Sequence, residues 1–240
     1  MNRRQTKQTI IALLRNSELP GVRSGLMNMP RTGVVNALFS CLCHADEKVR
    51  WHAVSGFGFL VPAIGAEKRE DARVIMRRFL WMLNDESGGI GWGVPEAMGE
   101  VMHHSDFLAA EYLHMLVSYT MDDGPELFQD GNFLELAQLQ EGVLWGLCRV
   151  APKRAADLAG LKISDHIGRY FNSSNASVRG MACRLAGMLQ LSEFAGRLED
   201  GLTDHAALRY YDNGLFRDTT VAALAQTALA AVSRKDRALS

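Results

Sequence analysis

The stretch Asp46-Glu47-Lys48-Val49-Arg50-Trp51-His52-Ala53-Val54-Ser55-Gly56-Phe57-Gly58-Phe59-Leu60 returns in outline later in the chain, and that return decides the fold. Adding 129 to each number carries Val49-Arg50 to Val178-Arg179, Ala53 to Ala182, Gly58 to Gly187 and Leu60 to Leu189. The segment before it repeats too, with Leu38 and Leu42 answered by Ile167 and Phe171. Val49, Ala53, Val54, Phe57 and Leu60 recur at helical spacing, and Asp46 stands where a helix cap is wanted. Two antiparallel helices of this size, joined by a short turn, cannot bury their apolar faces alone. A stack of such pairs is therefore expected.

Outward from this stretch, Arg3 to Asn16 reads as an amphipathic helix with Ile10, Ile11, Leu13 and Leu14 inward. Pro20-Gly21 is expected to break it, with a connector from Gly25 to Pro30. Thr32 is expected to cap a helix reaching about His44, and Pro62 and Gly65 to end the one begun at Asp46. A second pair starts near Glu67, turns through the Gly-rich segment Asn84 to Gly91, and aligns with the first at an offset of 41. That offset sets Trp92 against Trp51 and Gly99 against Gly58, with Pro95 in a first helical turn, where its missing N–H costs little. A third pair comprises Ser105 to Met121 and Phe133 to Val150, with Gln140 in the place of Arg50 at an offset of 90. The fourth ends at Gln190. The fifth is degenerate, its helices near Ala195 to Thr203 and Thr219 to Val232 separated by a loop, His205 to Asp218. The expected fold is an all-α superhelix, a solenoid of about five helical hairpins in one domain over residues 1–240.

With 48% hydrophobic and 22% charged residues, the chain can bury a substantial core and has no composition for long disordered segments. No apolar run is long enough to span a bilayer or to form a signal-peptide core. Cys41, Cys43, Cys148 and Cys183 sit in helical apolar patterns, which suits reduced thiols in a cytoplasm. The net charge of −1 conceals an uneven distribution. From Phe79 to Cys148 there are twelve carboxylates and no Lys or Arg, so all 26 basic residues lie in the flanking segments. The middle is acidic and the ends are basic.

The pattern Leu-x-x-x-Leu, a short gap, Asp, then Val-Arg-x-x-Ala and a Gly or Leu five residues on resembles HEAT-like repeats, the type often labelled bilin-lyase-like. Residues 38–60 and 167–189 carry it well, and the other units match in outline. The resemblance implies a right-handed α-superhelix whose second helices line a concave face. It also implies that Arg50 and Arg179 join hydrogen-bond ladders with turn acids such as Asp46. The sequence departs from the pattern at Gln140 and Gly91, where the ladder arginine is missing. Such folds host scaffolds, lyases, hydroxylases and glycosylases, so the resemblance does not fix function.

Stacking the repeats would bring Trp51, Trp92 and Trp145 to related places on successive second helices. With Glu96, Glu100 and Glu141 they would form an aromatic, acidic groove suited to Lys or Arg side chains. Packing of each Trp between helices is the competing reading. Tyr210 and Asn213, with the loop Met121 to Asn132, would add rim contacts. The expected function is a protein-interaction module for a basic peptide or protein surface. The alternative is an enzyme or accessory factor holding a small ligand or metal in the same groove, with Glu96 as acid or base. No cofactor and no catalytic residue are expected. His103-His104 with Glu100, Glu111 or His114 is the best-supplied metal candidate. The His-Glu dipeptides of HEAT-repeat hydroxylases are absent, as are Walker, Gly-x-Ser-x-Gly and paired CxxC motifs. HEAT-like alkylpurine DNA glycosylases have nearly this length, but their grooves are basic, whereas the central repeats here lack Lys and Arg. Nucleic acid is therefore not the expected partner.

Overall fold

The repeat seen in the sequence is reproduced hydrogen bond by hydrogen bond. In the first copy Asp46 caps the helix Glu47–Glu67, its Oδ1 accepting from the N–H groups of Lys48 and Val49 at 3.0 and 3.3 Å. In the second copy Asn175 caps Ala176–Leu189, accepting from Ser177 and Val178 at 2.8 and 3.3 Å. The cap N–H itself donates two residues back in both, from Asp46 to His44 Nδ1 and from Asn175 to Ser173 Oγ. Arg50 then donates to the carbonyl of His44 at 3.2 Å, and Arg179 to that of Ser173 at 2.7 Å.

The computed structural model describes residues 2–84, 91–122, 124 and 131–239, and the side chains of these except 32 and 235–239. The helices are α1 (Arg3–Asn16), α2 (Leu19–Met27), α3 (Arg31–Cys41), α4 (Glu47–Glu67), α5 (Arg69–Asn84), α6 (Val94–His104), α7 (Asp106–Ser118), α8 (Ala137–Gly160), α9 (Ser164–Ile167), α10 (Ala176–Leu189), α11 (Ala195–Gly201) and α12 (Val221–Leu239). A 3₁₀ turn, Gly168–Asn172, extends α9, and another, Ser192–Phe194, leads into α11. The chain forms two compact units: Met1–Tyr112 with Asn213–Leu215, and Leu113–Asp212 with Phe216–Ser240.

Several boundaries differ from the sequence expectation. Pro20-Gly21 does not break the chain; Pro20 occupies the first turn of α2, where no intrahelical N–H is required. Pro30, not Thr32, holds the cap position of α3. Pro62 and Gly65 lie inside α4, and Pro152 occupies the corresponding place in α8, at an offset of 90 from Pro62. In α8 the non-helical backbone at Arg154 (φ −130°, ψ 25°) marks a kink, the expected consequence of a lost hydrogen bond and ring clash. The segment His205 to Asp218 is not a loop but a hairpin of β1 (Ala207–Asp212) and β2 (Leu215–Thr220). Asn213 and Gly214, at φ 49° and 92°, form its two-residue turn, which needs two left-handed residues. The Gly-rich turn at 85–90 and most of the loop at 121–132 lie outside the described residues.

In the first unit α3, α4 and α5 pack around Phe39, Phe57 and Phe79, whose ring centroids are 4.8–5.0 Å apart. Such aromatic pairs contribute about 0.5–1.5 kcal/mol each beyond their burial. Arg78 closes the cluster, its guanidinium 3.8 Å from the Phe39 ring centre. The second helices then stack, α4 on α6 in the first unit and α10 on α12 in the second. Glycines from the two copies permit both approaches. A Cβ at Gly58 would lie 2.5 Å from Glu100 Cγ, and one at Gly187 would lie 2.6 Å from the Ala228 backbone. Burial is completed in the second unit by Leu144, Leu147, Leu185, Val221 and Val232, all at most 2% exposed.

Candidate functional site

In the first unit Trp51 stands in the second turn of α4, half-buried. Trp92 is half-buried in the turn entering α6, immediately before Gly93, which caps α6 at φ +73°. A Cβ at Gly93 would lie 3.1 Å from the carbonyl oxygen of Leu42, so the entry to α6 presses against the turn leading to α4. Because α4 and α6 are packed neighbours, the two Trp residues belong to the same end of adjacent second helices. Their registers differ, since Trp51 follows its cap by five residues and Trp92 precedes its own by one.

The acidic residues separate by depth. Glu96, in the first turn of α6, is half-buried with one carboxylate oxygen turned inward. Acids are favoured at such helix starts. Glu100 is 4% exposed, lies under Gly58, and meets His104 Nε2 at 3.2 Å. It belongs to the interface between α4 and α6, out of reach of an incoming side chain. Glu111, weighed as a metal ligand, is held by Arg73 through two hydrogen bonds of 2.8 and 2.5 Å, which keep its carboxyl below the ordinary range. Among the described residues no three His, Cys, Asp or Glu are grouped to hold a metal.

In the second unit Glu141 is half-exposed on α8. Trp145 is 4% exposed, and its Nε1–H donates to the carbonyl of Tyr211 at 2.8 Å. It is a packing residue joining α8 to β1, not a groove aromatic. Tyr210, on the other face of β1, is half-buried under the guanidinium of Arg184 at 4.5 Å. Gln140, read as a break in the pattern, donates to the carbonyl of Leu134 at 2.9 Å. That is the same six-residue reach made by Arg50 and Arg179, so a neutral amide replaces the arginine in this role. Of the expected ladder arginines, Arg179 meets a turn acid, Asp204, at 2.6 Å, whereas Asp46 is taken by Arg15 at 2.9 Å and Arg50 keeps to the carbonyl of His44.

Asn213 is exposed and lines a cavity of about 620 Å³ in the first unit with Leu19, Pro20, Arg23, Met27 and Phe59. Arg23 lies 5.5 Å from the centre of the Phe59 ring. Sequence reading missed this cavity because α2, which supplies most of its wall, was read as a break at Pro20-Gly21 followed by a connector from Gly25 to Pro30. It also passed over Trp81, which is 66% exposed on α5. Burial pushes the thiol of Cys41 up to about 11 and those of Cys148 and Cys183 up to about 12, away from the thiolate form that reacts. His44 is committed to its turn. Among the described residues no helix is long and apolar enough to cross a membrane.

No protein-family model and no curated protein sequence matches this chain. Solved structures do. Two engineered proteins of the Northeast Structural Genomics Consortium superpose with TM-scores of 0.52 and 0.53 at 13% identity, each covering 98% of this chain. The matches take in 98% and 100% of those proteins. A designed armadillo repeat protein in complex with the peptide (KR)4 superposes at 0.52 and 15% identity, covering 93% of this chain and 98% of its own. At such identities the likeness speaks to architecture, and with the internal repeat it establishes an all-α helical-repeat fold of the solenoid class.

Proposed function

We propose that the protein is an interaction module of HEAT-like repeats that grips a basic peptide or protein segment at the end of the first unit where α4 and α6 begin. Trp51 and Trp92 offer ring faces to Lys or Arg side chains, each contact contributing about 0.5–2 kcal/mol as it is desolvated. Glu96 supplies negative charge beside them, and Glu100, packed beneath Gly58, supports the helix that carries it.

The observation that carries this reading is the pairing of two half-buried Trp residues, at the starts of adjacent second helices, with a carboxylate. Trp92 and Glu96 lie in the stretch with no Lys or Arg from Phe79 to Cys148, while Lys48 and Arg50 flank Trp51 in sequence. The (KR)4 complex of the designed armadillo protein supports the choice of a basic partner. The test is a titration of fluorescently labelled (KR)4 against the full chain, followed by anisotropy. Trp92→Ala combined with Glu96→Gln should weaken binding at least about tenfold with helicity retained. Trp81→Ala, on exposed α5, should leave it unchanged. Undiminished affinity in the double variant, or equal loss in Trp81→Ala, would overturn the site.

A further inference from the structure

A second cavity, of about 730 Å³, opens in the first unit between α1 and α3. Its volume is in the range of small-molecule sites. Its polar lining is Arg3, Lys7, Asn36 and the hydroxyls of Thr6 and Ser40, whose protons go to the carbonyls of Asn2 and Ala37. Arg3 and Lys7 lie on α1, one turn apart, and the cavity wall contains no Asp or Glu. Among the described residues no carboxylate pairs with either cation, whereas Arg15, Arg31 and Lys48 in the same unit each have an acidic partner. Asn36 reinforces the bias. Its Oδ1 accepts from Arg78 at 2.8 Å, and its amide nitrogen brings two further donors to the lining residues.

The rest of the surface is apolar: Met29, Pro30 and the buried Ala37 form it, and Gly33 keeps it open. A Cβ at Gly33 would already lie 3.3 Å from Thr6 Cγ2, so any larger side chain there would narrow the space between the two helices. Two cations above an apolar floor match a ligand with a doubly charged head and an uncharged body. A phosphate monoester carries about −1.5 to −2 at neutral pH. The arginine fork can engage two of its oxygens while the lysine contributes a point charge. We infer that the α1–α3 groove binds an organic phosphate whose remaining part is flat and apolar. The groove is separate from the proposed peptide site, so either assignment can fail without the other.

The test is a fluorescence titration of the full chain with naphthyl phosphate, with naphthol and inorganic phosphate measured in competition. Saturable binding is expected, weaker at higher salt, with each competitor at least about tenfold weaker than the ester because each supplies half of the recognition. Lys7→Glu should weaken binding about tenfold or more, whereas Arg4→Glu, exposed and outside the lining, should not. Gly33→Met should block the groove while circular dichroism shows the helices intact. Naphthol binding as tightly as the ester, inorganic phosphate doing so, an unaffected Lys7→Glu variant, or no saturable binding would each overturn the assignment.

Discussion

His52 shows how much a single position can decide. It is 1% exposed on α4, and its Nδ1–H donates to the carbonyl of Leu14 at 2.7 Å, tying α4 to the end of α1. Burial disfavours the imidazolium and holds its pKa below the ordinary 6.5, against smaller opposing effects from the Leu14 carbonyl, Glu18 and Asp46; Lys48 adds to the depression. The unfolded chain therefore binds a proton more readily than the folded one. The stability contributed by the neutral ring is complete above about 6.5 and declines as pH falls through that value toward the folded pKa. A melting series should show Tm dropping between neutral pH and about 5.5, before the carboxylates titrate. His52→Gln keeps a donor for Leu14 and should flatten that drop; an unchanged slope would assign it to other groups. Asp46, Asp204 and Glu111, held low by arginine partners, add their own loss only in more acid solution.

At the scale of elements, the turn matters as much as the helices. His44 and Ser173, Asp46 and Asn175, and Arg50 and Arg179 build the same local network with different side-chain chemistry. What is retained is a backbone problem: the free N–H groups at the helix start and the free carbonyls before it need partners. Gln140 solves the carbonyl part with an amide, which explains why a pattern defined by Arg looked broken there. Helix stacking depends on the two glycines. Gly187→Ala would place its methyl against the Ala228 backbone, which cannot swing aside, so a loss of about 1–3 kcal/mol is expected. Gly58→Ala meets the Glu100 side chain and should cost less. Urea denaturation of both variants checks the order, and a larger loss at Gly58 would mean that α4 and α6 are the more rigid pair.

For the whole molecule, the organising feature is charge segregation superimposed on a repetitive fold. The Lys- and Arg-free stretch from Phe79 to Cys148 contributes Trp92 and Glu96, and the basic N-terminal segment contributes Arg3 and Lys7. The two proposed ligands have opposite charge, so added salt should weaken both through screening. The variants should not cross over. Lys7→Glu should leave (KR)4 affinity unchanged or slightly raised, and Glu96→Gln should leave naphthyl phosphate binding unchanged. If either substitution abolished binding of both ligands, the explanation would be a lost fold rather than two sites, and circular dichroism on the same samples would show it.

The sequence by itself determined the repeat, the helical pairs and the Asp46 cap, because helical periodicity and local backbone demands are written in neighbouring residues. It did not mark Pro20 and Pro62 correctly, since a proline reads alike as a breaker and as a first-turn or tolerated interior residue. The Asn213-Gly214 hairpin was legible but overlooked beside the stronger helical signal. Depth was decided only by the tertiary structure. Trp51, Trp92 and Trp145 look equivalent along the chain, as do Glu96 and Glu100. Only long-range packing buries Trp145 on Tyr211 and Glu100 beneath Gly58 while leaving Trp51, Trp92 and Glu96 partly accessible. Burial is a property of contacts between residues distant in sequence, and no local pattern encodes which member of a repeated set will face the neighbouring helix.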